Sequence, residues 1–477
     1  MISKKKIHCG NLFRVFNANE KNKLAPQRHR EHEEISVRSV RSVVKNSTNQ
    51  QQMIQKEEGL KRRVGVFGLS ANIVNIIIGS GIFVLPAIVA SYMGASSIIA
   101  YLFCGLLMAM VMLCFAEAGS KVTNTGGPYT YIETAFGNYA GFVAGFFAVG
   151  SNLFADAAVS NALVNVVASA YPIFETGWLR FLFLFILFYG LVYVNVIGLK
   201  QGIGLVKFNT IVKLIPLLLL ITIGFKDVSV SNLYFQNMPS LKTLGETSLI
   251  LFFAFQGCET GIIVGGEVVN PKRTIPRAIL ISITTVAVVY ILIQTVSQGV
   301  LGDALPNFTA APLAETAKVV FGNFGYILLI VGAVISMFGY MSGTILNSPR
   351  IVYALSRDKV IPIKALSKIH KSFATPYISI IIYATIGFML AVSGSFEQLA
   401  VIASSSMLIL YLGVALSVIK LRNSKKEYGG GFKIPGGWAV PIIAIAIILY
   451  FLSSLSANEM IGTGRLYFSQ LNFLKRK

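Results

Sequence analysis

Eleven apolar segments, each long enough to cross a lipid bilayer, constrain the fold of this chain more than any other feature. They lie near residues 66–91, 96–117, 139–169, 180–198, 203–225, 246–268, 279–301, 322–347, 376–394, 398–419 and 438–455. A bilayer core requires about 20 consecutive apolar residues in a helix, and backbone polar groups are satisfied there only in helices or closed barrels. With 54% hydrophobic and 13% charged residues, the sequence predicts an all-α, polytopic membrane protein.

The polar ends and the loops determine the predicted orientation. Residues 1–63 are polar and lack an apolar period, which predicts a disordered tail, although Met53 is an alternative start. Basic residues concentrate in alternate loops, around Arg273, Lys364 and Lys425, and the intervening loops carry few. The positive-inside rule then places the N-terminus in the cytoplasm of a multi-pass cell-membrane protein, which would be an inner-membrane protein in a Gram-negative bacterium. Residues 456–477 are too polar and short to span, and are predicted to be a C-terminal tail.

Charge, cysteine and histidine positions exclude several function classes. The net charge of +21 is explained by topology, so no nucleic-acid partner is predicted. Cys104, Cys114 and Cys258 lie inside apolar segments without metal-ligand spacing, and the four histidines all lie outside the segments. We therefore expect no metal site, no cofactor and no enzymatic activity, because a membrane-embedded enzyme would need a metal set or a nucleophile–base pair in its helices.

A short motif recurs before two of the segments. ETAFGNYAG, at 133–141, precedes the third segment, and ETAKVVFGNFG, at 315–325, precedes the eighth. Five segments separate the two copies, and five is odd, so the copies must face opposite sides of the membrane. Chance similarity of short segments would give the same pattern. We interpret the pattern instead as an inverted repeat of residues 64–225 and 246–420, followed by an additional helix at 438–455.

Corresponding segments of the two halves are interrupted at similar depth. The first carries Gly79, Ser80 and Gly81 in its middle, and the sixth carries Gln256-Gly257-Cys258-Glu259. Alone, the glycines of the first segment would suit a small-residue packing surface between helices. Paired interruptions in two inverted halves are instead typical of the midplane binding site of a secondary transporter.

Unwinding a helix exposes backbone groups that suit a zwitterionic ligand. A carboxylate can bind the free N–H groups and the positive end of one half-helix, and an ammonium group can bind free carbonyls at the C-terminal end of another. The interruptions therefore predict a ligand that carries both charges.

Four ordered motifs carry a family resemblance. They are GSGIF at 79–83, AEAGSKVTNTGGPYTYIETAFG at 116–137, FFAFQGCETGIIVGGEVVNPKRTIPRAI at 252–279 and PRIVYALSRDKVIP at 349–362. Together they resemble the amino acid permeases of the amino acid-polyamine-organocation (APC) superfamily, over about 64–455. The resemblance implies a five-plus-five inverted-repeat fold of the leucine-transporter type, with discontinuous helices 1 and 6.

The resemblance also implies a substrate site. It puts the substrate carboxylate on Ser80 and Gly81, and the amino group on the carbonyls of Ile77, Phe253 and Gln256, with Phe253 as an aromatic gate. Many relatives have an apolar or aromatic residue where this chain has Gln256, so its side-chain specificity is expected to differ. Tyr340 and Thr344 are further candidates for lining the site.

Three ionisable residues within apolar segments are candidates for energy coupling, because such residues are costly in a membrane. The resemblance implies that Lys213 stands where other superfamily members hold a sodium ion; alternatively, it reaches an interface. Glu259 matches a family carboxylate proposed to respond to protons, or is a structural hydrogen-bonded acid. Asp156 could balance Lys213, meet a cationic substrate side chain or join helices by hydrogen bonds.

These observations predict secondary transport of an amino acid across the cell membrane by alternating access. Coupling to protons or exchange is expected, because Lys213 would supply the charge that sodium supplies elsewhere. The partners are therefore an amino acid, protons and the lipid bilayer. The alternatives are an amino acid/amine antiporter of the polyamine type and a non-transporting amino acid sensor; a channel fits an occluding pair of broken helices less well.

Overall fold

The computed structural model describes residues 64–122, 127–175, 177–197, 203–235, 237–262, 268–357, 363–373, 375–424 and 432–455. The predicted tails at 1–63 and 456–477 lie outside these residues. Within the described part of the chain, the regular secondary structure is helical, apart from one isolated parallel β-bridge between Val64 and Val268.

The predicted apolar segments all contain α-helices, in the same order, and two further short helices lie between them. The α-helices are α1 (Val66–Ile77), α2 (Gly81–Met93), α3 (Ser97–Lys121), α4 (Pro128–Phe136), α5 (Asn138–Ala170), α6 (Gly177–Ile197), α7 (Ile203–Gly224), α8 (Leu241–Phe255), α9 (Cys258–Gly261), α10 (Pro271–Leu301), α11 (Pro312–Phe321), α12 (Asn323–Arg357), α13 (Tyr377–Ser393), α14 (Phe396–Arg422) and α15 (Ala439–Ser453).

Six helical stretches of the described residues are long and apolar enough to cross a membrane. They are Gly81–Lys121, Asn138–Ala170, Gly177–Ile197, Pro271–Phe308, Asn323–Arg357 and Phe396–Arg422. Helices α1, α13 and α15 are shorter apolar helices. The prediction of an all-α, multi-pass membrane protein is confirmed at this level.

Two helices extend furthest beyond the predicted segments. Helix α10 begins at Pro271 rather than near 279, because proline suits the first helical position, where no N–H donor is needed. Helix α12 continues to Arg357 rather than ending near 347, through the sequence SPRIVYALSR, which contains Pro349 and two arginines. Both extensions are less apolar than the membrane-spanning runs, so a search for apolar segments underestimates these helices.

The repeated motif forms the same local structure twice. Helices α4 and α11 both begin at a proline, and each ends before a glycine with positive φ: Gly137 at 94° and Gly322 at 67°. An asparagine then opens a long helix, α5 with 33 residues or α12 with 35. Only glycine adopts such backbone angles readily, which explains why it occupies this position in both copies.

Small side chains let the inner helices pack closely. Helix α5 buries a run from Phe154 to Val164 that contains four alanines, and the Oγ of Ser151 donates to the carbonyl of Ala403 in α14 at 2.9 Å. In contrast, α6 exposes Trp178, Ile186 and Tyr193. Apolar residues exposed on a membrane protein are suited to contact with lipid.

A buried carboxylate joins α3, α14 and the segment before α15. Glu117 accepts hydrogen bonds from Nζ of Lys121 at 2.8 Å, from Nε of Arg422 at 2.8 Å and from the backbone N–H of Ile434 at 3.0 Å. The Arg422 guanidinium also lies over the Trp438 ring, 5.2 Å from its centroid. A buried charge with this many donors is satisfied, so the cluster holds these ends of α3 and α14 together.

Candidate functional site

The first predicted interruption separates α1 from α2. Helix α1 ends at Ile77, Ile78 leaves the helical region with ψ of 78°, and α2 begins at Gly81. The backbone N–H groups of residues 80–82 donate to no partner among the described residues. The buried Oγ of Ser80 also has no partner there. Unpaired donors at the start of a helix form a site that favours an anion.

The second interruption separates α8 from α9. Gln256 is extended, with ψ of 156°, and Gly257 has φ of 122°, a conformation that favours glycine. The carbonyl of Phe253 accepts only a long hydrogen bond, from the Gln256 N–H at 3.4 Å. No hydrogen bond to the Gln256 carbonyl is found in the described residues. These oxygens therefore retain capacity to accept from a cation.

The two interruptions lie against each other. A methyl group built on Gly81 would lie 2.6 Å from Cα of Ala254, one on Gly257 would lie 2.9 Å from Cγ2 of Ile76, and one on Gly261 would lie 2.7 Å from Cγ1 of Ile73. As residue numbers rise along α1 and α2, they fall along α8 and α9, so the two broken helices run antiparallel with their breaks facing.

The contact with Ala254 gives Gly81 a packing role that is separate from any ligand. One interpretation of the sequence was that these glycines form a small-residue packing surface between helices, and Gly81 packs against Ala254 in this way. Gly79 is different, because a methyl group built there would lie at an ordinary distance of 3.7 Å from Cδ2 of Tyr340. Tyr340, one of the predicted lining residues, thus lies beside the first interruption.

Lys213 is buried and reaches the first interruption. Its Nζ donates to the backbone carbonyls of Asn75 and, at 2.8 Å, of Ile78. The Oγ of Ser336 donates to the same Ile78 carbonyl at 3.3 Å. Lys213 therefore does not extend to a membrane interface, and its ammonium group binds carbonyls that the broken helix leaves unpaired.

Tyr290 connects the two interruptions. Its hydroxyl lies 3.1 Å from the carbonyl of Ile77 and 2.9 Å from that of Ala254. The Ile77 carbonyl also accepts from the Gly79 N–H at 2.7 Å. The hydroxyl has one hydrogen and donates to only one of these carbonyls at a time, so the Ile77 carbonyl keeps a lone pair for a ligand ammonium group, as predicted, when Tyr290 donates to Ala254.

Glu259 and Gln256 are held by α14. Both carboxylate oxygens of Glu259 accept from the Gly257 N–H, at 3.0 and 3.1 Å, and one also accepts from the hydroxyl of Tyr411. Nε2 of Gln256 donates to Oγ of Ser404 at 3.0 Å. These bonds place the buried carboxylate directly at the second interruption and connect it to α14.

Asp156 belongs to a different network. It is fully buried in α5 and accepts from Oγ1 of Thr344 at 2.6 Å and from the hydroxyl of Tyr383 at 2.9 Å. Within the described residues it forms no ion pair with Lys213. Of the roles that the sequence left open for Asp156, joining helices by hydrogen bonds matches these contacts with α12 and α13.

Sequence reasoning missed the hydroxyl groups that contact the interruptions and Asp156. Tyr290, Ser336, Tyr383, Ser404 and Tyr411 come from α10, α12, α13 and α14. Serine and tyrosine are ordinary constituents of membrane helices, so one sequence gives no signal that distinguishes these five. A periodic pattern of hydroxyls on one helix face would have been such a signal, but each helix supplies only one or two.

Comparisons with known proteins identify the family of the chain. The profile of the family described as "Amino acid permease" matches residues 64–467. The chain is similar to the serine/threonine exchanger SteT of Bacillus subtilis, at 28% identity over 86% of this chain and 95% of that protein. It is similar to the branched-chain amino acid permease BcaP of the same organism at 25%, over 84% and 89%.

A mammalian relative covers a still larger part of the chain. The b(0,+)-type amino acid transporter 1 of Mus musculus is 26% identical over 90% of this chain and 88% of that protein. The family match spans most of the sequence and includes both interruptions and every site residue considered above. The chain therefore belongs to the amino acid permease family of the APC superfamily.

Proposed function

We propose that this protein carries an amino acid across the cell membrane by alternating access, with the substrate bound between the two interruptions. The proposal rests on two facing sets of backbone groups. The free N–H groups of residues 80–82 lie opposite the carbonyls of Phe253 and Gln256, which can still accept hydrogen bonds. The first group suits a carboxylate and the second suits an ammonium group. An α-amino acid has both on one carbon atom.

The proposed architecture is a five-plus-five inverted repeat of residues 64–225 and 246–420. Two correspondences support it. The first helix of each half is broken, at α1/α2 and at α8/α9. A proline-started helix, a positive-φ glycine and a long helix recur as α4–α5 and α11–α12. Residues 438–455 are an additional helix in this scheme.

In the proposed site, Ser80 and Gly81 bind the substrate carboxylate, and Phe253 and Gln256 bind its ammonium group. Ile77 joins them when Tyr290 releases its carbonyl. The Phe253 ring packs edge-on against Phe396 with centroids 5.7 Å apart, so it can act as an aromatic gate on one side of the site. The Gln256 side chain, held by Ser404, would contribute to side-chain selectivity.

Coupling is proposed to use Lys213 and Glu259, with Asp156 as a supporting group. Lys213 binds the carbonyls of Asn75 and Ile78 as a metal cation would, so no sodium ion is required there. Transport is therefore expected to run by exchange or with protons. The serine/threonine exchanger among the relatives favours exchange.

The proposed orientation has a cytoplasmic N-terminus, so an odd number of membrane crossings would place the C-terminus outside. A reporter that is active only on one side of the membrane, fused after Lys477, tests this. An external signal is expected from eleven crossings, and a cytoplasmic signal would contradict the count.

Uptake into proteoliposomes tests the function itself. Vesicles with the full chain should accumulate at least one of radiolabelled L-serine, L-threonine, L-leucine and L-lysine, faster when the lumen holds the same unlabelled amino acid. An amino acid/amine antiporter would instead require a luminal decarboxylated amine. A sensor would bind an amino acid, measured as a rise in thermal stability, without moving it. The proposal would be contradicted if the protein neither bound nor transported any of the four amino acids.

A further inference from the structure

A cleft lined by both polar and apolar side chains lies outside the two interruptions. It has a volume of about 450 Å³ and lies between the end of α5, the start of α6 and the connection from α13 to α14. Its lining includes Asn161, Asn165, Arg180, Ser393 and Phe396. Sites for small ligands commonly measure about 300–1,000 Å³. In the proposed orientation these helix ends all face the outside.

The Arg180 guanidinium is held in one orientation. NH1 donates to Oδ1 of Asn165 at 2.8 Å, and NH2 donates to Oδ1 of Asn161 at 2.6 Å. The Asn161 amide is itself fixed, because its Nδ2 donates to the carbonyls of Ala391 at 2.8 Å and Gly394 at 3.2 Å. With its nitrogen bound to carbonyls, the amide must direct its oxygen at Arg180.

This arrangement leaves N–H donors of the Arg180 guanidinium available to a ligand. A guanidinium has five N–H donors, and the two asparagines take two of them. Among the described residues Arg180 forms no ion pair with a carboxylate. A partly buried arginine that is oriented by neutral amides keeps its full charge and its planar fork, which matches a carboxylate with two parallel hydrogen bonds.

The cleft adjoins the proposed transport site. Phe396 lines the cleft, and its ring packs against Phe253, whose carbonyl belongs to the second interruption. The two rings thus connect the cleft lining to the helix that carries the second interruption. A molecule held by Arg180 would be one aromatic pair away from the site where we place the substrate.

We propose that this cleft is an entry site, in which Arg180 binds the α-carboxylate of an amino acid arriving from outside before the Phe253–Phe396 pair opens. The inference rests on the proposed function and adds a second, external binding step to it. Asn161 and Asn165 act as positioning residues. Because every α-amino acid has the same carboxylate, the step selects against amines without selecting among side chains.

The test uses uptake into cells that produce the full chain, with the best transported of L-serine, L-threonine, L-leucine and L-lysine as probe. Arg180→Gln should raise the external KM about tenfold or more, since a charged hydrogen bond contributes about 1.5–3 kcal/mol, and should leave the maximal rate close to wild type. Efflux measured from inside should keep its KM. Arg180→Lys should give an intermediate external KM.

Lys318→Gln is the matched control, since it removes a positive charge from α11, which the proposed topology also places outside, without touching the cleft. Its external KM should equal that of wild type; an equal rise in both variants would show general electrostatic steering and overturn the inference. A lower maximal rate at unchanged KM in Arg180→Gln would indicate a structural role and overturn it too.

Two further outcomes separate the remaining explanations. In proteoliposomes, anionic phosphatidylglycerol added to phosphatidylcholine would compete for Arg180 if the cleft binds a lipid phosphate. A rise in the KM of wild type on this addition, with no such rise in Arg180→Gln, would assign the cleft to the lipid and overturn the entry site. If wild type transports an amino acid and Arg180→Gln has the same external KM, the entry site is overturned but the proposed function is not. Failure of wild type to bind or transport all four amino acids overturns the proposed function, and the entry site with it.

Discussion

Gly257→Ala is expected to abolish most of the transport activity and to lower the thermal unfolding temperature. Gly257 has φ of 122°, and an added methyl group would lie 2.9 Å from Cγ2 and 3.2 Å from the backbone carbon of Ile76. Backbone strain of this kind costs about 1–3 kcal/mol. The contact adds to it by separating the two interruptions, so a loss of tenfold or more in the rate is expected.

Two glycines of the same chain separate strain from contact. Gly137 also has positive φ, at 94°, but a methyl group built there meets nothing within 4 Å, so Gly137→Ala reports strain alone. Gly150 lies inside helix α5, and a methyl group built there also meets nothing within 4 Å. Gly150→Ala therefore reports the added methyl group alone. If Gly137→Ala reduced transport as much as Gly257→Ala, the apposition of the interruptions would not explain the effect.

Replacement of Lys213 is expected to remove both transport and its response to protons. In Lys213→Ala the carbonyl of Asn75 loses the donor that the structure gives it, and an unsatisfied buried polar group costs about 1–3 kcal/mol. The broken helix should then lose its shape at the site. We expect uptake by wild type to be independent of sodium and faster with an inward proton gradient, and uptake by Lys213→Ala to be near background.

Lys213→Gln is the matched variant for coupling. Its amide can still donate two hydrogen bonds to the carbonyls of Asn75 and Ile78, but it cannot gain or lose a proton. We therefore expect transport that persists with a flat pH profile, measured as initial uptake rates across a pH series. Sodium-dependent uptake by wild type, or an unchanged pH profile in Lys213→Gln, would contradict the assigned role.

The sequence alone predicted the helices well because the bilayer imposes a simple requirement. Every predicted apolar segment contains a helix, and both predicted interruptions occur where glycine lowers helix propensity, at Gly79–Gly81 and Gln256–Gly257. Helices α4 and α11 were not predicted, because they are short and partly polar. Their start and end residues, proline and glycine, were visible within the repeated motif.

The partners of the site residues could not be predicted, because they depend on how the helices pack. Gly81 had two possible roles from the sequence, and only its contact with Ala254 reveals packing. Asp156 and Lys213 are both ionisable residues in apolar helices, yet Asp156 bonds to Thr344 and Tyr383 instead of Lys213. The hydroxyl of Tyr290 reaches both interruptions from α10, which no spacing in the chain indicates.

A structure of the full chain in lipid nanodiscs, with a saturating amino acid that it transports, tests the proposed substrate site directly. We expect ligand density between the two interruptions, with the carboxylate on the N–H groups of residues 80–82 and the ammonium group on the carbonyls of Phe253 and Gln256. Ligand density elsewhere at saturation, with the interruptions still closed on each other, would contradict it.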